Sequence, residues 1–502
     1  MSLLWRLLLF VIPLVGLVAL PPFGQRLVTL VGIYALLGLG YQVVFGQLRA
    51  LNLAQGALFG VGAYATALSA PHVGGLSLLV SIVVTALVAA VAAAPILRLQ
   101  SHYFALATLA LASLVNLVAI HVESLTGGAN GLVGFGLDLP RGEILMALVW
   151  VCLIPSVFAY AAVFRASMGE STWLLREAPM VAASLGIDGG LWRFLAFVVA
   201  GAGAGLAGGF SAALSGVVSP EATGFSVMLL CLTAVVVGGL RHPMGAVLGA
   251  GVAVCLPELF RGLQGSWLLA YAAATLVVVL WAPEGLAGLL DRRPKPRLPP
   301  LIPRRIAPVP GTQELVLDRV TKRFGGVEAL VDVSFKVERG EIVGLIGPNG
   351  SGKTTLLNVI SGLERADSGS IMLDALAIGR MPAHEIARAG VGRTFQTPIE
   401  GEPRGTDLAR ALATDATFLL LDEPAAGMTE RERGALAQLL DRLRDAGRGV
   451  LLVDHDIELM TRVCDRLVCL DGGAVVALGR PAEVRADPRV RASFLGLPAN
   501  AA

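Results

Sequence analysis

The chain has 502 residues, of which 55% are hydrophobic and 15% are charged, and its formal net charge is +2. Soluble domains carry about 25% charged residues, so this composition excludes a single soluble domain. The near-neutral charge balance gives no indication of a nucleic-acid-binding surface.

The charged residues are unevenly distributed along the chain. The first 290 residues contain 10 Arg, 9 Asp or Glu and no Lys, which is about 7% charged, whereas the remaining residues are about 27% charged. We therefore expect a membrane-embedded domain over residues 1–290, a linker over residues 291–312 and a soluble domain over residues 313–497.

Apolar runs of about 20 residues, enough to cross a hydrocarbon core of about 30 Å, recur along the first domain. No small-residue cleavage site follows the first run, so we interpret it as a transmembrane helix rather than a removed leader. The runs at 51–70 and 225–239 could instead be re-entrant or broken. About ten spans are predicted, at residues 3–20, 26–46, 51–70, 76–97, 103–121, 144–165, 191–215, 225–239, 244–262 and 266–281.

The distribution of arginine predicts the topology of these spans. With the N-terminus inside, ten crossings return the chain inside at residue 282, close to Arg292 and Arg293. The longest outside loop, residues 122–143, is then net negative. Both features follow the positive-inside rule, which predicts a multi-pass protein whose soluble domain lies on the cytoplasmic side.

Two polar stretches interrupt the apolar runs. Residues 46–56 contain Asn52 and Gln55, and residues 124–131 are too rich in glycine to be helical. Polar groups at membrane depth usually face a cavity or partner helices, but a capped helix end and a surface turn are alternatives.

Residues 62–69 loosely repeat residues 208–215. Either a duplicated half or tight helix packing would explain this similarity.

The sequence GYQVVFGQLRALNLAQGALFGVGAYATAL at residues 40–68, with residues 97–134, resembles the permease subunits of branched-chain amino acid ABC importers. The resemblance continues to residue 290 and includes Glu177, Ala178 and Gly186. In that family this segment is a short cytoplasmic coupling helix that docks on the ATPase. Its apolar residues are at helical spacing here, and a solvated loop is the alternative.

A proline-rich linker follows the membrane domain. Residues 291–311 contain seven Pro and six Lys or Arg. Such a composition favours extended polyproline conformation at about 3.1 Å per residue, and the basic residues suit an anionic cytoplasmic leaflet. The segment therefore predicts a tether beneath the membrane.

The soluble domain contains a phosphate-binding loop. The run from Gly347 to Thr354 fits G-x-x-x-x-G-K-[ST] and lies between a β-run and a helical pattern. In such a loop backbone N–H groups surround phosphates, Lys353 reaches the β/γ oxygens and Thr354 can bind Mg²⁺. We therefore predict ATP and Mg²⁺ as cofactors. The predicted nucleotide-binding residues of the loop are Gly347, Asn349, Gly350, Ser351, Gly352, Lys353, Thr354 and Thr355.

A second apolar strand, at residues 418–423, ends in two carboxylates. Asp422 fits the acid that holds Mg²⁺ at the end of such a strand, and Glu423 is placed to polarise the attacking water. His455 follows a third apolar strand, and Gln396 ends a run that begins at Gly392. Either of these two residues, considered alone, could be an ordinary surface residue.

Together, residues 313–497 resemble an ABC ATPase, and most closely the nucleotide-binding subunit of the same importers. The resemblance implies that Phe324 stacks on adenine and that Gln396 senses the γ-phosphate and Mg²⁺. It also implies that Glu423 is the catalytic base and His455 the switch histidine. The implied metal ligands are Thr354, Gln396 and Asp422.

The soluble domain departs from this family in length. Only the short stretch 397–421 separates Gln396 from Asp422. The family has several dozen more residues there, which form a helical subdomain with the LSGGQ-type signature. Residues 397–406 contain no substitute, and residues 407–413 resemble the end of the helix after the signature. We therefore expect the signature, and most of the surface that grips a coupling helix, to be missing.

The expected fold is an α-helical polytopic membrane domain followed by a shortened α/β P-loop NTPase domain of the ABC type. The resemblance implies ATP-driven import of branched-chain amino acids, or related small amino acids or amides, across the cell inner membrane. The implied partners are a second permease, a complete ATPase that supplies the signature and a periplasmic solute-binding protein. The alternative is a degenerate or regulatory protein that binds nucleotide without driving transport; an exporter-type fusion fits the helix count and coupling segment less well.

Overall fold

The computed structural model describes residues 3–96, 101–137, 142–164, 167–260, 267–282, 284–289, 314–396 and 406–495. The chain divides into two compact units, the first comprising Met1–Arg176 and Gly190–Lys295, the second Glu177–Gly189 and Pro296–Ala502. The predicted linker at 291–312 lies outside the described residues, as do residues 397–405 of the shortened region.

Apolar helices form the first unit, and one short helix from the same part of the sequence, α9, belongs to the second unit. The helices of this part are α1 (Leu3–Ala19), α2 (Pro22–Tyr41), α3 (Gln55–Val73), α4 (Ser77–Ile96), α5 (Ser101–His121), α6 (Glu123–Thr126), α7 (Glu143–Val163), α8 (Ser167–Glu177), α9 (Pro179–Ser184), α10 (Gly189–Ser215), α11 (Phe225–Gly238), α12 (Gly245–Leu259) and α13 (Trp267–Trp281). Large side chains such as Trp150, Tyr41 and Phe210 fill the interior. Many other apolar side chains face outward, for example Val91 and Trp281. Helices that are apolar on all sides are typical of membrane spans.

Each predicted span coincides with one helix of the structure, namely α1 to α5, α7 and α10 to α13. Within the described residues, five helical segments are long and apolar enough to cross a membrane: Pro22–Gly46, Gln55–Pro95, Tyr103–His121, Glu143–Val163 and Gly189–Ser215. Helix α11 is apolar but belongs to the shorter helices, and it falls well below the length that the hydrocarbon core requires. The run at 225–239, for which a re-entrant or broken segment was the alternative to a full span, is therefore a short helix.

The backbone between α2 and α3 is irregular. After α2 the chain forms a π-helix, Gln42–Gly46, and α3 begins only at Gln55. The side-chain amide of Gln42 donates to the carbonyl oxygens of Gly239 (2.6 Å) and His242 (3.2 Å). The π-helix is thus fixed against the turn between α11 and α12.

Asn52 and Gln55, predicted to face a cavity or partner helices or else to cap a helix end, are completely buried. Asn52 Nδ2 donates to Gln55 Oε1 (3.1 Å), and Asn52 Oδ1 accepts from the backbone N–H of Ala54 (2.9 Å). Gln55 Nε2 donates to the carbonyl oxygen of Ala200 (3.1 Å). Helix α3 has no side-chain cap at its N-terminus, and Gln55 bonds to α10. The contacts therefore match the prediction that these polar groups face partner helices rather than the capped-helix alternative.

The glycine-rich stretch at 124–131 begins inside α6, which ends at Thr126, and continues as a 3₁₀ turn, Gly128–Asn130. The prediction that this stretch is too rich in glycine to be helical is therefore wrong for its first residues. Gly127, Gly128 and Gly131 have positive φ angles of 75°, 61° and 69°. The turn leads into strand β1 (Leu132–Val133), which pairs antiparallel with β2 (Val217–Val218). This matches the surface-turn interpretation.

The two segments that loosely repeat each other belong to α3 and α10, which cross at very short distance. A Cβ atom added to Gly62 would lie 2.5 Å from the backbone of Gly205, and one added to Gly208 would overlap the carbonyl oxygen of Phe59. Small residues permit such close approach between membrane helices. Tight packing therefore explains the glycines in these segments.

The remainder of the second unit is an α/β fold. Its strands are β3 (Glu314–Phe324), β4 (Val327–Glu338), β5 (Ile342–Ile346), β6 (Ser368–Leu373), β7 (Leu376–Ala377), β8 (Val391–Arg393), β9 (Phe418–Asp422), β10 (Gly449–Val453), β11 (Arg466–Asp471) and β12 (Ala474–Gly479). Its helices are α14 (Lys353–Ile360), α15 (Ala383–Arg388), α16 (Thr406–Ala413), α17 (Glu430–Asp445), α18 (Ile457–Val463), α19 (Pro481–Ala486) and α20 (Pro488–Leu495). One sheet has the order β12-β11-β5-β10-β9-β8, and the other is antiparallel, β4-β3-β6-β7.

The larger sheet positions the predicted site. Strands β11, β5, β10, β9 and β8 are mutually parallel, and β12 is antiparallel to β11. Every residue of β5, β9 and β10 is buried, because a parallel sheet is covered on both faces. The phosphate loop follows β5, Asp422 ends β9 and His455 follows β10. Since carboxyl ends of parallel strands share one edge of the sheet, these residues meet there.

Candidate functional site

The phosphate loop connects β5 to α14. Gly347, Gly350 and Gly352 have φ angles of 152°, 79° and 102°, values that glycine adopts without strain. Lys353 Nζ donates to the carbonyl oxygens of Gly347 and Pro348, both at 2.8 Å. The loop thus has the backbone conformation of a phosphate cradle.

Two side chains of this loop fit a bound phosphate. The hydroxyl of Ser351 is buried and has no hydrogen-bond partner among the described residues. Burial lowers the pKa of Lys353, and the carboxylates of Glu423 and Asp422 act in the opposite direction. An orphan hydroxyl and a partly buried ammonium beside a glycine-rich helix N-terminus are suited to an anionic ligand such as ATP.

Gln396, Glu423 and His455 converge at the edge of the sheet. Gln396 Nε2 donates to Glu423 Oε2 at 2.7 Å, and His455 Nε2 lies 2.9 Å from Glu423 Oε1. Glu423 has a φ angle of 48°, and its N–H donates to the carbonyl oxygen of Val453 at 2.8 Å. A non-glycine residue in this conformation is typical of functional sites.

Asp422 lies beside Glu423 but is buried. Its backbone N–H donates to Thr394 Oγ1 (3.0 Å), and its Oδ2 lies 3.6 Å from Arg393 Nη2. Burial raises the pKa of Asp422, while the Arg393 guanidinium lowers it. Of these influences, burial has the largest effect on the pKa of the Asp422 carboxyl group.

Sequence reasoning missed Arg393. Its guanidinium is buried, donates from Nη1 to Ser361 Oγ (2.8 Å) and lies 4.9 Å from the ring centroid of Phe395. Burial lowers its pKa to about 10. An arginine in a strand is usually expected at the surface. The one sequence signal for a role of Arg393 in the site was its position in the run that Gln396 ends.

The predicted metal ligands Thr354, Gln396 and Asp422 offer a hydroxyl, an amide and a carboxylate. These hard oxygen donors suit Mg²⁺, which is usually held by one or two carboxylates together with substrate phosphates. Within the described ranges, no group of three or more His, Cys, Asp or Glu could hold a metal ion. The residues therefore fit Mg²⁺ bound jointly with a nucleotide rather than a cage made by the protein alone.

The remaining predicted nucleotide-binding residues are more exposed. Asn349 and Gly350 form the exposed tip of the loop, and Thr355 is half-buried in α14. Phe324 ends β3, is 45% exposed and lies under the ammonium of Lys322, whose Nζ is 5.0 Å from the ring centroid. An exposed phenyl ring of this kind offers a stacking surface for a base.

The predicted coupling segment contains helix α9. Glu177 ends α8, Ala178 precedes α9, and Val181 and Ala182 are buried. Gly186 follows the helix with a φ angle of 80°. The apolar spacing thus corresponds to a helix with one buried side.

Helix α9 packs on α15 within the second unit. Arg388 Nε donates to the carbonyl oxygen of Gly186 at 2.9 Å, and His384 Nε2 lies 3.6 Å from Asp188 Oδ2. The expected loss of the surface that grips a coupling helix therefore does not extend to α15, which contacts α9. The reason is that α15 precedes Gln396 and so lies outside the shortened region.

Two family models match the chain. One, described as "Branched-chain amino acid transport system / permease component", matches residues 25–282, just over half of the chain. The other, described as "ABC transporter", matches residues 330–404.

Curated relatives match the second part of the chain. The high-affinity branched-chain amino acid transport ATP-binding protein BraF of Pseudomonas aeruginosa is 31% identical over 248 residues, covering 36% of this chain and 97% of BraF. The zinc import ATP-binding protein ZnuC of Alkalilimnicola ehrlichii is 36% identical, covering 35% of this chain and 81% of ZnuC. The lipopolysaccharide export system ATP-binding protein LptB of Escherichia coli is 31% identical, covering 36% of this chain and 97% of LptB.

The alignment with BraF contains gaps in this chain. It extends over 248 residues, yet it covers only 36% of this chain, which is well under 248 positions. This difference agrees with a shortened ATPase domain.

Among solved structures, a nucleotide-free ATP-binding cassette from an ABC transporter is 25% identical. The alignment covers 37% of this chain and 100% of the cassette, and the TM-score is 0.35. A structure of an ATP-binding subunit of an ABC transporter is 23% identical, with 36% and 96% coverage and a TM-score of 0.32.

Proposed function

Because the chain belongs to the branched-chain amino acid transport system permease family and carries an ABC transporter ATPase domain, we propose that it is a fused permease–ATPase subunit of an ABC importer. In this proposal residues 1–290 form the permease, 291–312 the tether and 313–497 the ATPase domain. The ATPase domain lies on the cytoplasmic side of the cell inner membrane. The observation that carries the proposal is the contact of Gln396, Glu423 and His455 beside a phosphate loop, on the same chain as a permease.

The solute assignment comes from the permease half. ATPase relatives of similar identity are named for branched-chain amino acid transport, zinc import and lipopolysaccharide export, so this half does not discriminate between solutes. The permease family description is specific to branched-chain amino acids. We therefore assign branched-chain amino acids, or related small amino acids or amides, as the solutes.

The geometry suggests how ATP is hydrolysed. The loop amides and Lys353 bind the β- and γ-phosphates. Thr354, Gln396 and Asp422 would hold Mg²⁺, which would supply positive charge to stabilise the phosphoryl group. Glu423 accepts a proton from the attacking water, and Gln396 and His455 hold its carboxylate in place. Phe324 stacks on the adenine.

The shortened domain makes the proposed transporter asymmetric. ABC ATPases of this kind combine the phosphate loop of one subunit with the signature of the other. This chain supplies a phosphate loop, Asp422, Glu423 and His455 to one interface but no recognisable signature to the second. A complete partner ATPase supplies the signature, a second permease completes the pathway, and a periplasmic protein delivers the solute.

The test is reconstitution of the chain with these partners in proteoliposomes, followed by measurement of radiolabelled leucine uptake and ATP hydrolysis. Lys353→Ala should reduce both rates by at least about 100-fold, the loss expected when a cation that stabilises transition-state charge is removed. Lys336→Ala, an exposed lysine on β4, is the matched control.

Two results would contradict the proposal. ATP turnover that is unaffected by Lys353→Ala would show that this site does not hydrolyse ATP. Undiminished uptake when the chain is omitted would favour the degenerate or regulatory protein instead.

A further inference from the structure

A pocket of about 370 Å³ lies in the first unit between α3, α5 and α11. Its lining includes Leu53 from the segment before α3, Asn116 from α5 and Thr223 from the segment before α11. Its volume lies within the range of about 300–1,000 Å³ typical of small-molecule sites.

Two breaks in helical structure meet at this pocket. Residues 49–54 precede α3, and a 3₁₀ turn, Pro220–Thr223, precedes α11. A Cβ atom added to Gly56 would lie 2.8 Å from the backbone nitrogen of Met228, so the first turns of α3 and α11 are in contact. Non-helical backbone at membrane depth is tolerated where it is buried or lines a cavity, and discontinuous helices often mark transport sites.

The pocket has one fixed polar cluster. Asn116 Nδ2 donates to Thr223 Oγ1 (2.7 Å) and to the carbonyl oxygen of Pro220 (3.1 Å). Thr223 Oγ1 donates to the same carbonyl oxygen at 2.7 Å. These bonds orient the Asn116 amide, and its Oδ1 accepts no hydrogen bond among the described residues. Ser113, one helical turn earlier, adds a hydroxyl.

The chemistry of the lining defines a ligand class. Among the described residues no Asp, Glu, Lys or Arg lines the pocket, and Leu109, Leu117, Phe225 and Met228 form its apolar wall. The N-terminus of α11 opens onto it at Phe225, and no side chain of the described segments caps this helix. Since a helix N-terminus favours negative charge, the lining suits a small molecule with one compact polar or anionic group and an uncharged aliphatic part.

We propose that this pocket holds the solute in transit, an aliphatic amino acid or a short amide. Its carboxylate or amide oxygen lies at the start of α11, its polar group contacts Asn116 and Ser113, and its aliphatic part contacts the leucine and phenylalanine side chains. The proposal rests on the transport function above and names the site of that function.

The test uses Ser113→Cys in the full chain, purified in lipid nanodiscs. Peptide mass spectrometry measures how fast N-ethylmaleimide alkylates position 113 when L-leucine, L-valine, acetamide or L-lysine is present at about 10 mM. A solute with a Kd of about 1 mM would slow alkylation about tenfold. We expect slowing by L-leucine, L-valine or acetamide but not by L-lysine. Cys152 and Cys255, which lie outside the pocket and are half-buried, are internal controls whose alkylation should not change.

A second substitution links the protection to Asn116. Asn116→Leu in the same background should abolish protection by L-leucine, whereas Ser69→Ala, at a hydroxyl bonded within α3, should retain it. Leu117→Cys, on the exposed rim of the pocket, replaces Ser113→Cys if that variant does not fold.

Unchanged alkylation in the presence of all four solutes would overturn the proposal. Alkylation slowed only by added phospholipid would also overturn it, because the pocket would then be a lipid contact. These measurements need neither ATP nor partner subunits. Protection without uptake in the reconstituted system would therefore contradict the transport function while leaving this ligand site intact.

Discussion

Arg393 and Asp422 are two buried opposite charges at the edge of the nucleotide site. Their side chains are only 2% and 3% exposed, and Arg393 Nη2 lies 3.6 Å from Asp422 Oδ2. Burial raises the pKa of Asp422, and the guanidinium counteracts this effect. The charge state of the acid proposed to hold Mg²⁺ therefore depends on an arginine that contacts no nucleotide in our proposal.

We predict that Arg393→Met raises the pKa of Asp422 further, because burial then acts without an opposing cation. Since our proposal has the ionised carboxylate hold Mg²⁺, the acidic limb of the pH profile of ATP hydrolysis should move to higher pH, by about one unit. The measurement is kcat/KM against pH in the reassembled complex.

Two control variants separate charge from structure in this experiment. Arg393→Lys retains the cation and should leave the limb near its original position. Arg448→Met removes another buried arginine, whose nearby carboxylate is Asp415, and should not move the limb. An acidic limb that stays in place in Arg393→Met would contradict the proposed role.

The contact of Gln396, Glu423 and His455 was predictable in outline from the sequence. Each residue follows a β-strand, and parallel strands bring their carboxyl ends to one edge. Arg393 was not predictable in the same way. Its role arises from a tertiary contact with Asp422, and composition alone assigns a strand arginine to the surface.

At the scale of elements, α9 and α15 form the contact expected to transmit motion. Arg388 Nε donates to the Gly186 carbonyl oxygen at 2.9 Å. Arg388→Ala removes this bond but no residue of the nucleotide site. We predict that it lowers solute-stimulated ATP hydrolysis about tenfold, as expected for a loss of about 1.4 kcal/mol, and leaves basal hydrolysis unchanged.

Both rates are measured in the reconstituted complex with and without solute-loaded binding protein. Arg380→Ala, an exposed arginine before α15, is the matched control and should behave like the unmodified chain. Equal loss of basal and stimulated hydrolysis would indicate a damaged nucleotide site rather than lost coupling.

The crossing of α3 and α10 makes a separate prediction about stability. Gly208→Ala places a methyl group on the carbonyl oxygen of Phe59, and such overpacking costs about 1–3 kcal/mol. We expect the thermal midpoint of the purified chain to fall by several degrees. Gly251→Ala, in α12 with open space around its Cα, should change the midpoint little, and equal shifts in both variants would argue against close packing.

The positions of the helices could be predicted, but their irregularities could not. Apolar runs located the ten helices that were predicted as spans, because the hydrophobic signal is local. The π-helix Gln42–Gly46 depends on bonds from Gln42 to Gly239 and His242, far away in the sequence. The segment Glu177–Gly189 likewise groups with the second unit through tertiary contacts, which periodicity does not reveal.

At the scale of the whole molecule, one polypeptide combines a permease with an ATPase domain that retains its phosphate loop but is short between Gln396 and Asp422. In the proposed function, Lys353, Glu423 and His455 contact one side of a nucleotide bound at this site. In our proposal a signature from another subunit contacts the opposite side of the nucleotide. Binding and hydrolysis should therefore respond differently to the presence of that subunit.

We predict that the isolated chain binds a fluorescent ATP analogue but hydrolyses ATP at about 1% or less of the rate of the complex, because half of the charge stabilisation is absent. Adding the complete partner ATPase should restore hydrolysis.

Substitutions in that partner test the asymmetry. Replacing its signature serine by arginine should abolish hydrolysis again. Replacing the partner's own phosphate-loop lysine should have little effect, since that loop faces the shortened domain. Hydrolysis at the full rate by the isolated chain, or equal loss from both partner substitutions, would contradict the asymmetric arrangement.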